Sequence, residues 1–283
     1  MVLSINNKLV VCILGIFCFS CGSKHMQEPK LYPSPKGYNM NQYTIMPLPM
    51  ELDEISGLNF YEKDTSIFAI VDDDGALYKI KKGKRIGVMK FAESADYEDI
   101  ARIDSTLFIL KSNGTIFRLN YARDTLQVEE FPFPQPKANE FEILYYDDRS
   151  AKVMLICKDC ESDKKKALTT YTFDPVSGTY SDSSFAISVT SIDSIMGKKK
   201  MKFKPSAAAI NPKDSLLYII SSINKLIVVT DLQGKVKQAV PIDPKLFKQP
   251  EGMTFNSRGD MFISNEFAEN GTAELMMFRY QAQ

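Results

Sequence analysis

The chain has 283 residues, of which 44% are hydrophobic, and its 35 lysines and arginines equal its 35 aspartates and glutamates in number. This length and composition favour one large globular domain. The balanced charge creates no long-range field, so neither nucleic acid nor an anionic membrane surface is predicted as an electrostatic partner.

The amino terminus has the pattern of an export signal. Lys8 precedes an apolar run over residues 9–19, which is too short to span a bilayer and ends in small residues. The run closes on CFSCGS at residues 18–23, which resembles the lipobox of bacterial lipoproteins. Cys18 stands where leucine is commonest in that motif, so the match departs from the usual pattern at one position.

The lipobox resemblance implies a division of the chain into three parts. Residues 1–20 form the signal peptide, residues 21–40 form the lipidated cysteine and a polar tether, and residues 41–283 form the folded domain. Acylated Cys21 would hold the protein on a membrane of the bacterial cell envelope, facing the periplasm or the cell exterior. An ordinary cleaved signal peptide is the alternative.

Two cysteines remain for the folded domain, Cys157 and Cys160 in the sequence CKDC. They are too few for a structural zinc site, and the one histidine, His25, lies in the predicted tether. In an oxidising compartment we expect a local disulfide between them, with a redox-active pair as the alternative.

The predicted domain repeats one order of short strands five times. Each repeat contains an inner strand, a second strand after a turn, and a third strand, with apolar residues at period two. The repeats begin at Ser56, Glu98, Glu142, Ser206 and Glu251. A period of about 45 residues with three or four strands is typical of a β-propeller. We therefore predict an all-β propeller of five four-stranded blades, although the longer interval after Glu142 could contain a sixth.

The last repeat reaches the carboxyl terminus without a fourth strand. Residues 43–48 are predicted to supply that strand and close the ring, because closure removes the unpaired edges of the sheet. In the long interval, we predict an outer strand over residues 184–189 and one helical turn between residues 191 and 204.

The repeats resemble the SdiA-regulated family of exported bacterial propellers. The resemblance rests on Ser56-Gly57 and Glu251-Gly252 before inner strands and on polar pairs, such as Asp72-Asp73, after second strands. Glycine is replaced in the other three repeats by Asp99, Ile143 and Ala207. The resemblance implies a propeller fold and export but no activity. A more distant resemblance, to NHL-repeat propellers and calcium-dependent lactonases of the gluconolactonase type, rests on residues 250–265.

Inner strands line the central channel of a propeller, so the residues that open the repeats are predicted to converge at one mouth. Three candidate metal ligands would meet there: Glu98, Glu142 and Glu251. The other predicted residues of the mouth are Ser56, Ser206, Asn265 and Glu266.

Carboxylates that face one another require a cation or shared protons. Calcium suits such a set of oxygen ligands. Alternatively, each glutamate accepts backbone N–H groups of a neighbouring blade and joins the blades. The run Asp72 to Gly75 lacks the spacing of an EF-hand and is interpreted as a solvated acidic turn.

The predicted domain contains no histidine, which excludes histidine-based activation of a nucleophile. Two functions remain. One is a non-enzymatic envelope lipoprotein whose propeller binds a small ligand or an envelope protein. The other is a calcium-dependent hydrolase of the lactonase or phosphoesterase type, with its metal at the channel mouth. The first is favoured, because no catalytic motif is present.

Overall fold

The computed structural model describes residues 31–122, 125–134, 139–163, 166–182, 185–266 and 272–282. Contacts divide the chain into Met1–Leu31 and a compact unit of Tyr32–Gln283. The predicted signal peptide and Cys21 lie outside the described residues. No helix among the described residues is both long enough and apolar enough to cross a bilayer.

The compact unit is built from five antiparallel sheets, as predicted. The chain starts with strand β1 (Thr44–Pro47) and a 3-10 turn at Met50–Leu52. The first blade contains β2 (Ile55–Tyr61), β3 (Ser66–Val71), β4 (Ala76–Lys81) and β5 (Lys84–Lys90). The second contains β6 (Tyr97–Ile103), β7 (Thr106–Lys111), β8 (Ile116–Ala122) and β9 (Thr125–Phe131).

The third blade contains β10 (Glu140–Asp147), β11 (Lys152–Asp159), β12 (Ala167–Asp174), β13 (Thr179–Ser181) and β14 (Ala186–Ser188). The fourth contains β15 (Ala207–Ile210), β16 (Leu217–Ser221), β17 (Leu226–Thr230) and β18 (Val236–Pro241). The fifth contains β19 (Pro250–Phe255), β20 (Met261–Asn265), β21 (Glu274–Phe278) and β1. Inner strands β2, β6, β10, β15 and β19 contact one another in sequence, and β19 contacts β2.

The ring closes as the sequence predicts. Strand β1 pairs antiparallel with β21, so that Ile45 lies opposite Met276. The outer strand of the last blade therefore comes from the amino-terminal part of the domain. This pairing confirms the closing strand predicted over residues 43–48 and leaves the fifth blade with four strands like its neighbours.

The long third repeat holds one blade and a helix rather than two blades. Its outer strand is divided, because β13 pairs with the end of β12 and β14 pairs with its beginning. The predicted outer strand over 184–189 thus corresponds only to β14. Helix α1 (Val189–Met196) follows, capped at its start by the Ser188 hydroxyl, which accepts a hydrogen bond from Ser191 N at 3.2 Å.

The predicted tether extends too far along the chain. Residues from Tyr32 onward belong to the compact unit, and Tyr38 and Met40 are buried. The Tyr38 hydroxyl donates to the Gly259 carbonyl at 2.6 Å and accepts from Asn211 Nδ2 at 3.0 Å. The largely polar segment contains two large apolar side chains, Tyr38 and Met40, and their burial attaches residues 38–40 to the fourth and fifth blades.

A β-bulge interrupts the start of the inner strand in four blades. In β6 the pairing passes from Tyr97 to Asp99, so Glu98 has no partner on β7. The same happens at Glu142 in β10, at Glu251 in β19 and between Ile55 and Leu58 in β2. A bulge adds an unpaired residue and turns its side chain away from the regular alternation of the strand. The side chains of the residues that open the repeats therefore point in a different direction from those of the rest of each strand.

The glycines that follow two of these bulges allow the inner strands to approach closely. A Cβ atom on Gly57 would lie 2.7 Å from Asp99 Cα, and one on Gly252 would lie 2.4 Å from the Ser56 carbonyl oxygen. Both contacts are with backbone atoms, which cannot move aside. Close packing of neighbouring inner strands therefore explains why glycine follows serine and glutamate in these two pairs of the sequence.

Candidate functional site

The bulged ends of the inner strands surround one cavity of about 230 Å³ at the mouth of the central channel. Among the residues that the structure describes, its lining combines eight carboxylates with one lysine and two serines. The lining residues are Glu54, Ser56, Asp72, Asp96, Glu98, Glu140, Glu142, Lys158, Ser206, Glu251 and Glu266.

Six of the seven side chains predicted for this mouth line the cavity: Ser56, Glu98, Glu142, Ser206, Glu251 and Glu266. Asn265 does not. Its side-chain amide is buried and donates to the Leu246 carbonyl at 2.8 Å. Successive residues of a strand point to opposite faces, so Asn265, the last residue of β20, points into the blade instead.

Five lining residues were missed by the sequence analysis. Glu54, Asp96 and Glu140 each stand two residues before a predicted lining residue, and a step of two keeps a side chain on the same side of an extended chain. Asp72 and Lys158 stand at or just beyond the end of a second strand. Asp72 is exposed, as the predicted solvated turn requires, and its carboxyl group also lines the cavity.

The first two blades contribute a group of hydrogen-bonded acids. Asp96 exchanges side-chain hydrogen bonds with both Asp72 and Glu98. Burial, followed by the nearby Glu142 and Asp96 charges, raises the pKa of Glu98 to about 10. Burial and Asp96 raise the pKa of Asp72 to about 7. Burial also acts against ionisation of Asp96, but hydrogen bonds from Ser112, Asp72 and Glu98 outweigh it and lower its pKa. The group therefore carries shared protons at neutral pH.

A second acidic pair lies where the fifth blade meets the first. Glu266 shares a side-chain hydrogen bond with Glu54. Burial raises the pKa of Glu266 to about 8, and this hydrogen bond and the charge of Glu251 act in the same direction. This pair likewise holds a proton that an isolated carboxylate would release.

Lys158 provides the positive charge of the cavity. Its ammonium group donates to a carboxylate oxygen of Glu142 and lies 3.1 Å from Glu140 Oε1. Burial acts to lower the pKa of Lys158, but the two carboxylates outweigh burial and raise it. Burial raises the pKa of Glu142, and Lys158 limits that rise. The side chain thus acts as a built-in counter-ion for the third blade.

Glu251 is held by serines of the fourth blade. Its carboxyl group has side-chain hydrogen bonds with Ser222 and Ser206, and the Ser206 hydroxyl also accepts from Ser222 N at 3.1 Å. Burial raises the pKa of Glu251 in spite of these hydrogen bonds and of Lys158.

A second cavity of about 380 Å³ adjoins the first and shares Lys158, Ser206 and Glu251 with it. The rest of its lining is basic, unlike that of the first cavity, because Lys204, Lys225 and Lys248 contribute to it. The mouth of the channel is therefore acidic on the side of the first two blades and basic on the side of the fourth.

The predicted calcium site does not match this geometry. Three or more acidic, cysteine or histidine ligand atoms come within 4.8 Å of one another at a single place in the described chain, and that place is outside this cavity. Glu98, Glu142 and Glu251 instead have separate partners: Asp96, Lys158 and two serines. The oxygen ligands suit calcium, but their arrangement does not form one coordination sphere.

In the alternative role, a carboxylate accepts a backbone N–H group of the neighbouring blade, and Asp99 does this. Asp99 is buried, and its two oxygens accept hydrogen bonds from Ile100 N and Leu144 N, each at 2.8 Å. The second bond connects the inner strand of the second blade to that of the third. The residue next to Glu98, and not Glu98 itself, joins the blades.

Cys157 and Cys160 lie at the end of β11, and the structure joins them by a disulfide bond. Both are buried. They adjoin Asp163, which lies in a short 3-10 turn, Glu161–Asp163, and was not singled out by the sequence analysis.

Several solved structures share this fold. The glutaminyl cyclase of Myxococcus xanthus is 16% identical, with a TM-score of 0.57 over 84% of this chain and 94% of that protein. A luciferin-regenerating enzyme is 10% identical, with a TM-score of 0.50 over 84% of this chain and 95% of that protein. These likenesses concern the fold alone.

A calcium-binding protein, regucalcin from Agrobacterium tumefaciens, is 14% identical, with a TM-score of 0.45 over 78% of this chain and 68% of that protein. This likeness is too distant to carry an argument about calcium. No curated protein shows significant sequence similarity to the chain. The model of the SdiA-regulated family matches residues 37–268, which include four whole blades and every strand of the fifth except β21. The chain belongs to the SdiA-regulated family.

Proposed function

We propose that the protein is a lipoprotein of the bacterial cell envelope whose propeller binds a small ligand through an ammonium group at the acidic mouth. One observation carries the binding role. The cavity places eight carboxylates around about 230 Å³, and only Lys158 offsets their charge within the described lining. A bound cation would replace the protons that these neighbouring carboxyl groups share.

The cavity already contains one example of such recognition. The ammonium group of Lys158 lies between Glu140 and Glu142, with hydrogen bonds to both. An ammonium group offers three N–H donors, and ionised carboxyl groups are acceptors only. The acids of the first two blades and the Glu54–Glu266 pair offer acceptors of the same kind without a lysine of their own.

The adjoining basic cavity narrows the class of ligand. Lys225 and Lys248 lie beside the acidic cavity, where they would repel a simple polyamine and attract an anionic group. A ligand with an ammonium group at one end and a carboxylate or other anion at the other matches both cavities. Amino acids and short peptides belong to this class.

A calcium-dependent hydrolase is less well supported. The separate pairing of Glu98, Glu142 and Glu251 leaves no common position for one ion, and no step of hydrolysis is assigned to these residues. Calcium binding is therefore one of the alternative outcomes of the titration described next.

The test is calorimetric titration of the full chain, in detergent, with amino acids, dipeptides, putrescine and calcium chloride. We expect binding of a dipeptide or an amino acid that weakens at least tenfold in Glu98→Gln. Glu93→Gln is the matched control, because the Glu93 side chain is 96% exposed and lies outside the cavity. Lys158→Met is expected to tighten binding of putrescine, since it removes a competing ammonium group.

Two outcomes would contradict the binding role. One is that no amine binds. The other is that one equivalent of calcium binds and supports hydrolysis of lactones or phosphoesters, with both lost in Glu251→Gln.

Anchoring at Cys21 is tested separately. Metabolic labelling with an alkyne fatty acid should mark the wild-type chain and not Cys21→Ala, and the variant should leave the membrane fraction. Equal labelling of the two chains would exclude Cys21 as the anchor.

A further inference from the structure

The disulfide Cys157–Cys160 has an unusual neighbour, the buried carboxylate of Asp163. Ligand atoms of all three side chains lie within 4.8 Å of one another. Cys157 and Cys160 are 0% and 3% exposed, and Asp163 is 9% exposed. A disulfide offers a carboxylate neither a positive charge nor a strong hydrogen-bond donor, so the disulfide alone gives no reason to bury an acid beside it.

Asp163 is held in this position by its surroundings. Thr169 N donates to its Oδ1 at 3.1 Å and its Oδ2 at 3.2 Å, and the Thr169 hydroxyl donates to Oδ1 as well. The backbone of the 3-10 turn adds a bond from Asp163 N to the Cys160 carbonyl at 3.0 Å. Hydrogen bonds of this kind orient the carboxylate ligands of metal sites.

Reduction of the disulfide would change the chemistry of the cluster. Two thiolates and one carboxylate form a ligand set suited to zinc, with Zn–S bonds of about 2.3 Å and Zn–O bonds of about 2.0 to 2.2 Å. Such bonds in a tetrahedral site place the ligand atoms about 3.8 Å apart. The two sulfurs, which are bonded to each other in the disulfide, would move apart to this spacing on reduction, and an oxygen of Asp163 already lies within 4.8 Å of both.

A fourth ligand has room to enter. A cavity of about 190 Å³ adjoins the cluster and is lined by Cys160 and Asp163. Three lysines also line it: Lys204 pairs with Asp159 at 3.0 Å, Lys158 pairs with Glu140 at 3.1 Å, and Lys202 is exposed to solvent. A water molecule occupies about 30 Å³ in the liquid, so the cavity accommodates a metal-bound water.

We propose that the reduced protein binds a zinc-like divalent cation through Cys157, Cys160 and Asp163, and that the disulfide is the metal-free state of the same site. A dithiol reductant supplies two electrons and two protons to the disulfide and is itself oxidised to a disulfide. Zinc then displaces the two thiol protons as it forms two Zn–S bonds, while the Asp163 carboxylate provides the third protein ligand. Transfer of two electrons from the two thiolates to an oxidised dithiol, which takes up two protons from water, forms the Cys157–Cys160 bond again and releases the ion.

The experiment uses cobalt as a spectroscopic substitute for zinc. The full chain, in detergent and without oxygen, is titrated with Co²⁺ in its reduced and its oxidised form. We expect the reduced form to bind one equivalent, with thiolate-to-cobalt absorption in the near ultraviolet and the visible bands of a tetrahedral ion. The oxidised form should show neither signal, and added Zn²⁺ should remove both signals from the reduced form.

Variants assign the ligands. The double variant Cys157→Ser/Cys160→Ser should lose the cobalt spectrum, which also excludes the other cysteines of the chain as its source. Asp163→Asn should weaken Co²⁺ binding at least tenfold, whereas Glu161→Gln, an exposed acid in the same turn, should leave it unchanged. Circular dichroism of the oxidised variants shows whether they are folded.

The proposal fails if the reduced wild-type chain gives no thiolate-to-cobalt absorption, a comparison that requires no substitution. It also fails if folded Asp163→Asn binds Co²⁺ as tightly as the wild type.

Discussion

At one end of the central channel, the first residues of the inner strands face a cavity of about 230 Å³ lined mainly by carboxylates. At the other end, the middle of the same strands lines an opening of about 320 Å³ that includes Asp99, Arg102 and Thr254. At the acidic end Glu142 is buried, four carboxylates are half-buried and Glu54, Asp72 and Asp96 are exposed, whereas Asp99 and Thr254 at the second end are buried. What differs is the kind of partner, which is a backbone N–H group of the next blade at the second end and another side chain at the acidic end.

At the second end, polar groups connect adjacent blades. Asp99 accepts from Leu144 N in the next blade. Thr254 Oγ1 accepts from Phe60 N at 3.0 Å across the junction where the ring closes. At the acidic end, the carboxylates hydrogen-bond mainly to other side chains of the cavity, and several pKa values are raised. One end of the channel stabilises the ring, and the other holds repelling charges that a ligand could relieve.

The largest expected effect is at Asp99. Asp99→Ala leaves two buried N–H groups, Ile100 and Leu144, without their acceptor. We expect the free energy of unfolding to fall by about 2 to 4 kcal/mol, measured by urea denaturation. Exposed Glu93→Ala is the control and should change it by less than about 0.5 kcal/mol. Equal stability of the two variants would show that Asp99 does not join the blades.

A change of intermediate size in the free energy of unfolding is expected for Glu98→Gln. At alkaline pH this substitution should stabilise the protein, whereas Asp99→Ala should destabilise it. Its pKa is raised to about 10 in the folded protein, mainly by burial, so folding retains a proton that the unfolded chain releases above its ordinary pKa of 4.5. Stability from this group is therefore present below about pH 4.5 and is lost as the pH rises toward 10.

Glu98→Gln removes this titration. We expect the variant to be more stable than the wild type at pH 9, with the loss of stability between pH 6 and pH 9 reduced by about 1 kcal/mol for each pH unit. Thermal unfolding across that range measures the difference. A wild type whose stability rises with pH over this range would contradict the assignment of a buried, repelled carboxyl group.

The smallest expected effect is at Thr254. Thr254→Val keeps the shape of the side chain and removes the acceptor of Phe60 N. We expect a loss of about 1 kcal/mol in the free energy of unfolding and faster hydrogen exchange at the Phe60 amide. Glu98→Gln is the control, since it should leave that amide protected. Unchanged exchange in Thr254→Val would remove Thr254 from the junction between the fifth and first blades.

Local patterns in the sequence were sufficient for the fold. Alternating apolar residues, turn residues and a repeat of about 45 residues recur along the chain, and each blade forms from consecutive strands. The incomplete last repeat was sufficient to predict the closing strand β1. The divided outer strand of the third blade was not predictable, because both β13 and β14 are short and pair with the same strand, β12.

The acidic mouth was predictable only in part. The residues that open the repeats, such as Glu98 and Glu251, could be located because they occupy equivalent positions in successive blades. Their partners could not, because a repeat pattern does not show which side chains meet across the channel. The pairing of Lys158 with Glu142, the joining of blades by Asp99 and the contact of Asp163 with two cysteines all depend on side-chain directions.

The sequence by itself determined a closed propeller of five blades and the ring of residues around its mouth, because hydrophobic period and repeat length are local properties of the chain. The tertiary structure alone decided what the carboxylates do. A β-bulge shifts side-chain direction by one residue, so Glu98 faces the cavity while Asp99 joins two blades. Burial raises the pKa of both adjacent acids, but their hydrogen-bond partners and their roles differ.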